Sequence, residues 1–369
     1  MHPLDLSEAD GSEVGRLVDD AVAVGRPVVV PTSGFSGPPK QVLLSMRALT
    51  ASAGATLNAL GGDGQWVAAL NPERIGGLQV YVRSSLAGVA PVTVAADSSF
   101  GVASFAVAVA AMRDDMPHYV ALVPTQVHRL LAETAGREAL ARFDRVLIGG
   151  APLPEPVALA LDETGIAWSH TYGMTETAGG CLYDGVPLPG VQVRVEAGAA
   201  VGRLLISGPM LAEGYHHDPV ATSETFITEA GRRWFRTSDL GRYDHDRGRW
   251  QVLGRADDVI TTGGHKVHPD DVVSALSALE GVMDAAVVGV PDPQWGERVV
   301  ALLVPSAPGP PDAARAEPTT WARSRLGATL PRHALPTRVR WADAVPRLLS
   351  GKVDTAGVRA AFTQEGERI

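Results

Sequence analysis

From residue 13 to residue 171 the chain alternates short runs of β-branched and apolar side chains with stretches in which apolar residues recur at helical spacing. Strands are predicted at 27–30, 66–70, 91–95, 119–123, 145–148 and 166–169, with helices between them, among them 76–86 and 154–161. Strands separated by helices in this way pack as βα units around a parallel sheet. Such sheets bind ligands in the loops at their strand ends. Between 186 and 253 the texture changes: VQVRVEAG, GRLLISG and GRWQVLG alternate apolar and polar positions and are broken by Gly and Asp, the pattern of antiparallel β-structure. After GRADD at 254–258 a compact α+β pattern begins, with Val272, Leu276 and Leu279 on one helical stripe and strands at 285–290 and 299–304. Residues 305–320, PSAPGPPDAARAEPTT, are predicted to be a mobile surface loop inside it. The expectation is an α/β protein. Residues 1–254 form a large N-terminal domain of βα-layered sheets with a small antiparallel β subdomain, and residues 255–369 form a small α+β domain.

Composition narrows what such a protein binds. With 369 residues, 45% hydrophobic and 20% charged, the chain is globular and long enough for two or three domains. Its net charge of −9, without any basic run, argues against a nucleic-acid or anionic-membrane partner, so an anionic ligand must meet local positive groups. The start, MHPLDLSEADGSEV, is acidic and lacks the features of a secretion signal, which predicts a cytoplasmic protein. The apolar run at 100–112 is shorter than the roughly 18 residues of a membrane span, and none is predicted. Cys181 is the sole cysteine, which excludes an intramolecular disulfide and a multi-cysteine metal site. It reads as a small buried side chain.

Five short stretches carry candidate chemistry. PTSGFSGPPK (31–40) has the makings of a phosphate cradle: Gly34 and Gly37 allow close backbone approach, Thr32, Ser33 and Ser36 offer hydroxyls, and Lys40 adds a positive charge. The same stretch also reads as a hairpin turn between 28–30 and 42–44. WSHTYGMTETAGG (168–180) follows a strand; Glu176 suits Mg²⁺ and Tyr172 can stack on a base, while the plainer alternative is a strand-to-helix turn capped by Thr175 or Thr177 with a solvated Glu176. In FRTSDLGR (235–242) Asp239 is either a ribose acceptor or part of a turn. GRADDVITTGGHKVHPDDV (254–272) holds Arg255, Asp257 and the pair Gly263–Gly264, which fits a hinge with a mobile glycine loop, or a linker, a turn and a helix begun at Pro269. PRLLSGKVD (346–354) places Lys352 after Ser350–Gly351, where most lysines are solvent-exposed charges.

Taken in order, TSGFSGPPK, GGAP at 149–152, YGMTET, GRLLISGP with GYHHDP, RTSDLGR, GRADDVITTGG and PRLLSGK resemble the acyl-adenylate-forming superfamily of acyl-CoA ligases, luciferases and peptide-synthetase adenylation domains. The short N-terminal region, YGMTETAGGCLYDGVPLPGV and IGGLQVYVRSSL look like the actinobacterial o-succinylbenzoate–CoA ligases of menaquinone biosynthesis. The resemblance implies an enzyme that adenylates a carboxylic acid with ATP and passes the acyl group to CoA, with Mg²⁺ as cofactor. It implies that Thr32, Ser33, Gly34, Ser36, Gly37 and Lys40 hold the β- and γ-phosphates. Gly150, Ala151, Pro152, Tyr172, Gly173 and Met174 line the nucleotide slot. Thr175 touches the α-phosphate, Glu176 holds the metal, and Asp239 and Arg255 bind the ribose. Asp257 is the hinge of a mobile C-terminal domain, Gly263 and Gly264 edge the pantetheine tunnel, and Lys352 is the catalytic lysine. A homodimer is left open.

Three departures from the family pattern bear on specificity. Phe35 stands where the phosphate loop usually has a hydroxyl, Glu73–Arg74 stand where relatives generally carry a histidine beside the acyl site, and GGHKVHP is more basic than the usual glycine loop. Arg74 and Gly173 are expected at the acid substrate, with the Arg74 guanidinium either gripping a second carboxylate or pairing with Glu73. The alternatives are an aryl-acid adenylating enzyme or CoA ligase of a secondary pathway, or a nucleotide-binding homologue with reduced catalysis.

Overall fold

The computed structural model describes residues 2–7, 13–32, 40–95, 100–306, 309–347 and 353–363. The chain divides into two compact units: residues 1–153, 160–237 and 243–251 make the first, and 154–159, 238–242 and 252–369 the second. Among the described residues no helix is long and apolar enough to cross a membrane.

The first unit is built on a seven-stranded sheet in the order Val92–Thr93, Gln65–Ala68, His118–Leu122, Arg145–Gly149, Trp168–Met174, Gly179–Tyr183 and Val186–Pro187. The first five strands are parallel and the last two turn antiparallel. Trp66, Val67, Val120, Leu122, Val146 and Ile148 are almost wholly buried, as the continuous apolar character of parallel strands requires. Helices Met46–Leu60 and Ile75–Ala87 pack on this sheet, and Cys181 is buried within it. A small sheet joins Val28–Pro31, Gln41–Leu44 and Gly214–Tyr215. The antiparallel texture after residue 186 becomes a sheet of Gln192–Val195, Gly202–Ser207, Arg232–Asp244 and Phe226–Glu229, with Arg249–Arg255 added on Arg232–Asp244.

Two sequence expectations need correction here. The strand expected at 166–169 begins at Trp168 and runs on to Met174, because Thr171 to Met174 find ladder partners in Tyr183 to Gly179. The expected strand at 91–95 shrinks to Val92–Thr93. A side chain on Gly173 would have its Cβ 2.0 Å from the Gly179 carbonyl oxygen and 2.7 Å from Gly180 Cα, so this close pairing of backbones demands glycine.

The second unit contains a sheet in the order His265–Val267, Ile260–Thr262, Gly296–Pro305 and Val282–Asp292, with Arg338–Trp341 parallel to Gly296–Pro305. Both faces are covered, as period-two alternation shows: Ala285, Val287, Ala301 and Leu303 join one core, and Val288, Val290, Val300 and Leu302 join the other with Val358 and Phe362. The stripe at Val272 and Leu276 lies on helix Pro269–Ser277, with both side chains buried and Leu279 packed beside them. The expected loop at 305–320 is instead largely helical from residue 312. Asp312–Ala316 and Pro318–Leu326 are helices, Ala314 is fully buried, and the Trp341 indole N–H donates to its carbonyl at 2.8 Å. Pro318 opens the second helix at a position that has no N–H to satisfy.

Asp270 sits in the first turn of helix Pro269–Ser277 with its carboxylate against Gly254. A helix N-terminus favours negative charge by at most a kcal/mol or so. Burial outweighs it, and with Asp258, Asp271 and Asp239 nearby lifts the Asp270 pKa from 3.8 to about 6, His268 opposing. Burial likewise raises Asp258, against the pull of Arg255.

Gly173→Ala should cost about 1–3 kcal/mol from overpacking against backbone that cannot yield, read as a lower midpoint in denaturant. An unchanged midpoint would refute the close-packing account. For Asp270 the folded pKa lies above the unfolded one, so the protonated form is the stabler; that advantage is complete below about pH 4 and lost as the pH rises to about 6. Asp270→Asn should therefore gain roughly 1–3 kcal/mol on the wild type between pH 4 and pH 7.5, measured by denaturant unfolding at both. A gain that shrinks with pH would contradict it.

Candidate active site

The stretch 31–40 begins and ends on a hairpin. Pro31 pairs with Gln41, the Thr32 amide donates to the Lys40 carbonyl at 2.8 Å, and the Lys40 amide donates to Thr32 Oγ1 at 3.0 Å. The hairpin reading thus holds for the stem, Val28–Thr32 against Lys40–Leu44. Ser33, Gly34, Phe35, Ser36 and Gly37 lie outside the described residues. Arg74 does not pair with Glu73; its Nη1 donates to the carbonyls of Pro31 and Thr32 at 3.2 and 3.0 Å and ties the stem down.

Gly149 pairs with Thr171, so Gly150, Ala151 and Pro152 leave the sheet beside Tyr172 at the carboxyl end of two parallel strands. Gly150 takes φ of 84°, which lets the chain turn out of the strand. The next strand does not end in a helix, contrary to the plainer sequence reading. Trp168–Met174 passes into a single 3₁₀ turn, Thr175–Thr177, and returns as Gly179–Tyr183. Thr177 does cap this turn: its hydroxyl oxygen accepts from the Met174 amide at 2.9 Å and its hydroxyl donates to the Gly179 carbonyl at 2.8 Å.

Thr175 and Glu176 are buried, so a solvated Glu176 is also corrected. The Tyr215 hydroxyl donates to Glu176 Oε1 at 2.9 Å, and the Ala212 amide donates to the Glu176 carbonyl at 2.9 Å. Burial, then the adjoining carboxylate, drives the Tyr215 phenol far above its usual pKa and keeps it a donor. The Lys40 ammonium lies 4.5 Å from the centroid of the same ring. A buried carboxylate with hard oxygen donors fits Mg²⁺. Among the described residues no group of three or more His, Cys, Asp or Glu side chains could hold a metal by itself, so an ion on Glu176 would complete its shell with phosphate and water, as Mg²⁺ does.

One residue escaped the sequence reading. Arg83, on helix Ile75–Ala87, is only 4% exposed, and its guanidinium lies over the Trp66 ring with Cζ 4.8 Å from the centroid. Among the described residues its Nε has no hydrogen-bond partner and no carboxylate pairs with it, while burial lowers its pKa. One turn earlier Gln79 donates to the carbonyls of Leu49 and Ala178, which sets this face of the helix against Gly179–Tyr183. Ser52 Oγ, Gln79 Oε1 and Ser84 Oγ are also buried without partners among the described residues. Buried polar atoms normally find partners, so a row of unsatisfied ones marks a place for a polar ligand or water. A helical stripe of Leu, Val and Tyr around Arg83 concealed it in the sequence.

In the second unit, Arg255 is ion-paired with Asp257 at 3.5 Å and Asp258 at 3.8 Å, and Asp257 and Asp258 fall in the 3₁₀ turn Ala256–Asp258. Asp239 lies on the strand Arg232–Asp244, not in a turn. Gly263 and Gly264, with φ of 55° and 78°, form a two-residue hairpin turn between Ile260–Thr262 and His265–Val267, packed against Trp295. Lys352 lies outside the described residues.

The AMP-binding enzyme family matches residues 26–216, and the AMP-binding enzyme C-terminal domain matches residues 271–352. A probable 2-succinylbenzoate–CoA ligase of Mycobacterium tuberculosis is 42% identical over 96% of this chain and 88% of its own length. A feruloyl-CoA synthase of Amycolatopsis is 34% identical over 65% of this chain and 51% of its own. Among solved structures, o-succinylbenzoate CoA synthetase from Bacillus subtilis superposes on 91% of this chain and 68% of its own with a TM-score of 0.74 and 25% identity in complex with the acyl-adenylate intermediate, and with a TM-score of 0.73 and 27% identity over 88% and 68% in complex with ATP and magnesium ion. By the span of its match across the strands, the 3₁₀ turn and the loop stem described above, the chain belongs to the AMP-binding enzyme family.

Proposed function

We propose that this protein is an AMP-forming acid–CoA ligase that uses ATP and Mg²⁺ and acts on a carboxylic acid bearing a second carboxylate, of the 2-succinylbenzoate type. The observation that carries it is the 42% identity to the Mycobacterium tuberculosis relative across 96% of the chain. Arg83 supports the substrate class. A buried guanidinium without a counter-charge among the described residues is costly to keep, and an incoming carboxylate would neutralise it with a paired, charge-assisted hydrogen bond. Arg83 is therefore assigned the second carboxylate, in place of Arg74, whose Nη1 is spent on the stem carbonyls.

A carboxylate is a poor acyl donor because oxide is a poor leaving group. Its oxygen first attacks the α-phosphorus of ATP; the bond from that phosphorus to the bridging oxygen breaks, pyrophosphate departs, and an acyl-AMP remains. The CoA thiol then loses its proton and attacks the acyl carbonyl, and AMP leaves. Bound at Glu176, Mg²⁺ supplies positive charge to the phosphates. Lys40 and the loop from Thr32 hold the β- and γ-phosphates, Thr175 reaches the α-phosphate, and Gly150, Ala151 and Tyr172 frame the base. Asp239 and Arg255 bind the ribose diol. Lys352 steadies the charge that spreads over phosphate in the first step. Asp257 is the pivot about which residues 255–369 move so that Gly263 and Gly264 replace Lys352 for the second.

A second reading, an aryl-acid CoA ligase, is favoured by the 34% identity to feruloyl-CoA synthase. Acid-dependent exchange of labelled pyrophosphate into ATP separates the two. We expect exchange with 2-succinylbenzoate and little with ferulate; the reverse overturns the diacid assignment, and no exchange with any acid leaves a nucleotide-binding protein. Arg83→Gln should raise the KM for the diacid about 10–100-fold while leaving that of a monocarboxylic analogue within twofold, its melting temperature serving as the folding control. Equal effects on both acids would remove Arg83 from recognition. Lys352→Ala should slow exchange about 10²–10³-fold. Full exchange by that variant would end the assignment of the lysine.

A further inference from the structure

Two opposite charges share one aromatic side chain in the first unit. Tyr215 gives its hydroxyl to Glu176 Oε1 at 2.9 Å, and its ring receives the Lys40 ammonium 4.5 Å from the centroid. Lys40 closes the stem of the loop and is exposed, whereas Tyr215 and Glu176 are each 9% exposed. Among the described residues Lys40 joins no ion pair, although a buried carboxylate is held on the same phenol. The phenol is itself fixed. Its strand pairs Tyr215 with Val42, two residues after Lys40. Its amide donates to Thr222 Oγ1 at 2.9 Å, and its ring meets Phe226 edge-on at 6.0 Å.

We infer that Tyr215 is a positioning residue that holds Lys40 and Glu176 apart, its ring face occupying the ammonium and its hydroxyl occupying one carboxylate oxygen, so that both charges stay available to a nucleoside triphosphate and its divalent cation. This rests on the reading of Glu176 as the cation's carboxylate. An ammonium over an aromatic face is attracted without being neutralised, and it moves to a phosphate at little cost. A direct ion pair would cancel both charges, and a triphosphate with its cation would have to break it before binding. The hydroxyl opposes this collapse by holding Glu176 Oε1 in a hydrogen bond of 2.9 Å, a bond that the ammonium would have to displace. The phenol also removes one of the directions in which the carboxylate can turn, presenting it to the cation in a fixed orientation.

The test uses the full chain without acid or CoA, so that ATP binds but does not turn over. ATP binding is followed by calorimetry across a series of Mg²⁺ concentrations for the wild type, Tyr215→Phe, Glu176→Gln and the double variant. Tyr215→Phe keeps the ring and removes only the hydroxyl, and it should raise the Mg²⁺ midpoint about tenfold, the loss expected for one hydrogen bond to a charged group. In the Glu176→Gln background the same change should move the midpoint less than twofold, because Tyr215 acts through that carboxylate. Adding Lys40→Met to Tyr215→Phe should bring the midpoint back towards the wild type, since the competing cation is gone, even though ATP itself binds less tightly. An unchanged midpoint in Tyr215→Phe, an equal rise in both backgrounds, or no recovery on neutralising Lys40 overturns the inference. A general loss of structure would move the midpoint equally in both backgrounds, so the cycle separates positioning from folding. Absence of Mg²⁺-dependent ATP binding in the wild type would instead bring down the functional reading on which the inference stands.

Discussion

The candidate site depends on one reversal of the chain. Five parallel strands are followed by a sixth that runs the other way, and the change of direction takes place in a single 3₁₀ turn, Thr175–Thr177. Parallel neighbours need a long crossover between them, and antiparallel neighbours need only a tight connection. The tight connection is what puts Glu176 inside the protein at the carboxyl end of the parallel strands. Gly173 makes it sterically feasible, since any side chain there would meet the returning backbone, and Thr177 supplies the hydrogen bonds that the turn leaves open. The carboxylate is buried because the turn is short, and a buried carboxylate must be hydrogen-bonded or paired. Tyr215 meets that requirement from a different sheet, which links the turn to the stem of the 31–40 loop.

Most of the framework was legible before any coordinates. The parallel strands read as short apolar runs, the antiparallel region as alternation, and the second unit's helix as the stripe Val272 and Leu276, because these patterns are direct consequences of which faces are buried. Where the reading failed, local pattern competed with tertiary partners. Residues 170–174 look like a polar loop, yet a neighbouring strand supplies a ladder for them. The Pro- and Ala-rich segment after 305 looks unstructured, yet Ala314 is small enough to fit a core where Trp341 caps its carbonyl.

The candidate site was legible in its motifs and not in its geometry. Glu176 could be singled out, but its burial and its bond to a tyrosine 39 positions on could not. Arg83 lies in the stretch IGGLQVYVRSSL that carries the subgroup resemblance, yet it was not singled out as a site residue, because an arginine on an apolar stripe reads as a long side chain reaching for solvent. Its inward position is set by Trp66 on a strand beneath, a contact that sequence spacing does not encode.

Arg74 and Arg83 then acquire a joint meaning, since they sit at the N-cap and in the third turn of one helix, Ile75–Ala87. A helix rises about 1.5 Å per residue, so their backbones are separated by about 13 Å along a rigid axis. At one end Arg74 holds the carbonyls of Pro31 and Thr32 and so pins the stem of the loop; at the other Arg83 presents a buried cation with no counter-charge among the described residues. On the proposed function, the first end addresses the triphosphate and the second the far carboxylate of the acid. The helix would then act as a spacer that fixes how far the distal charge of a substrate lies from the nucleotide's phosphates. The departure at Glu73–Arg74, which had suggested a grip on a second carboxylate or a pair with Glu73, thus fixes one end of this spacer through the stem carbonyls.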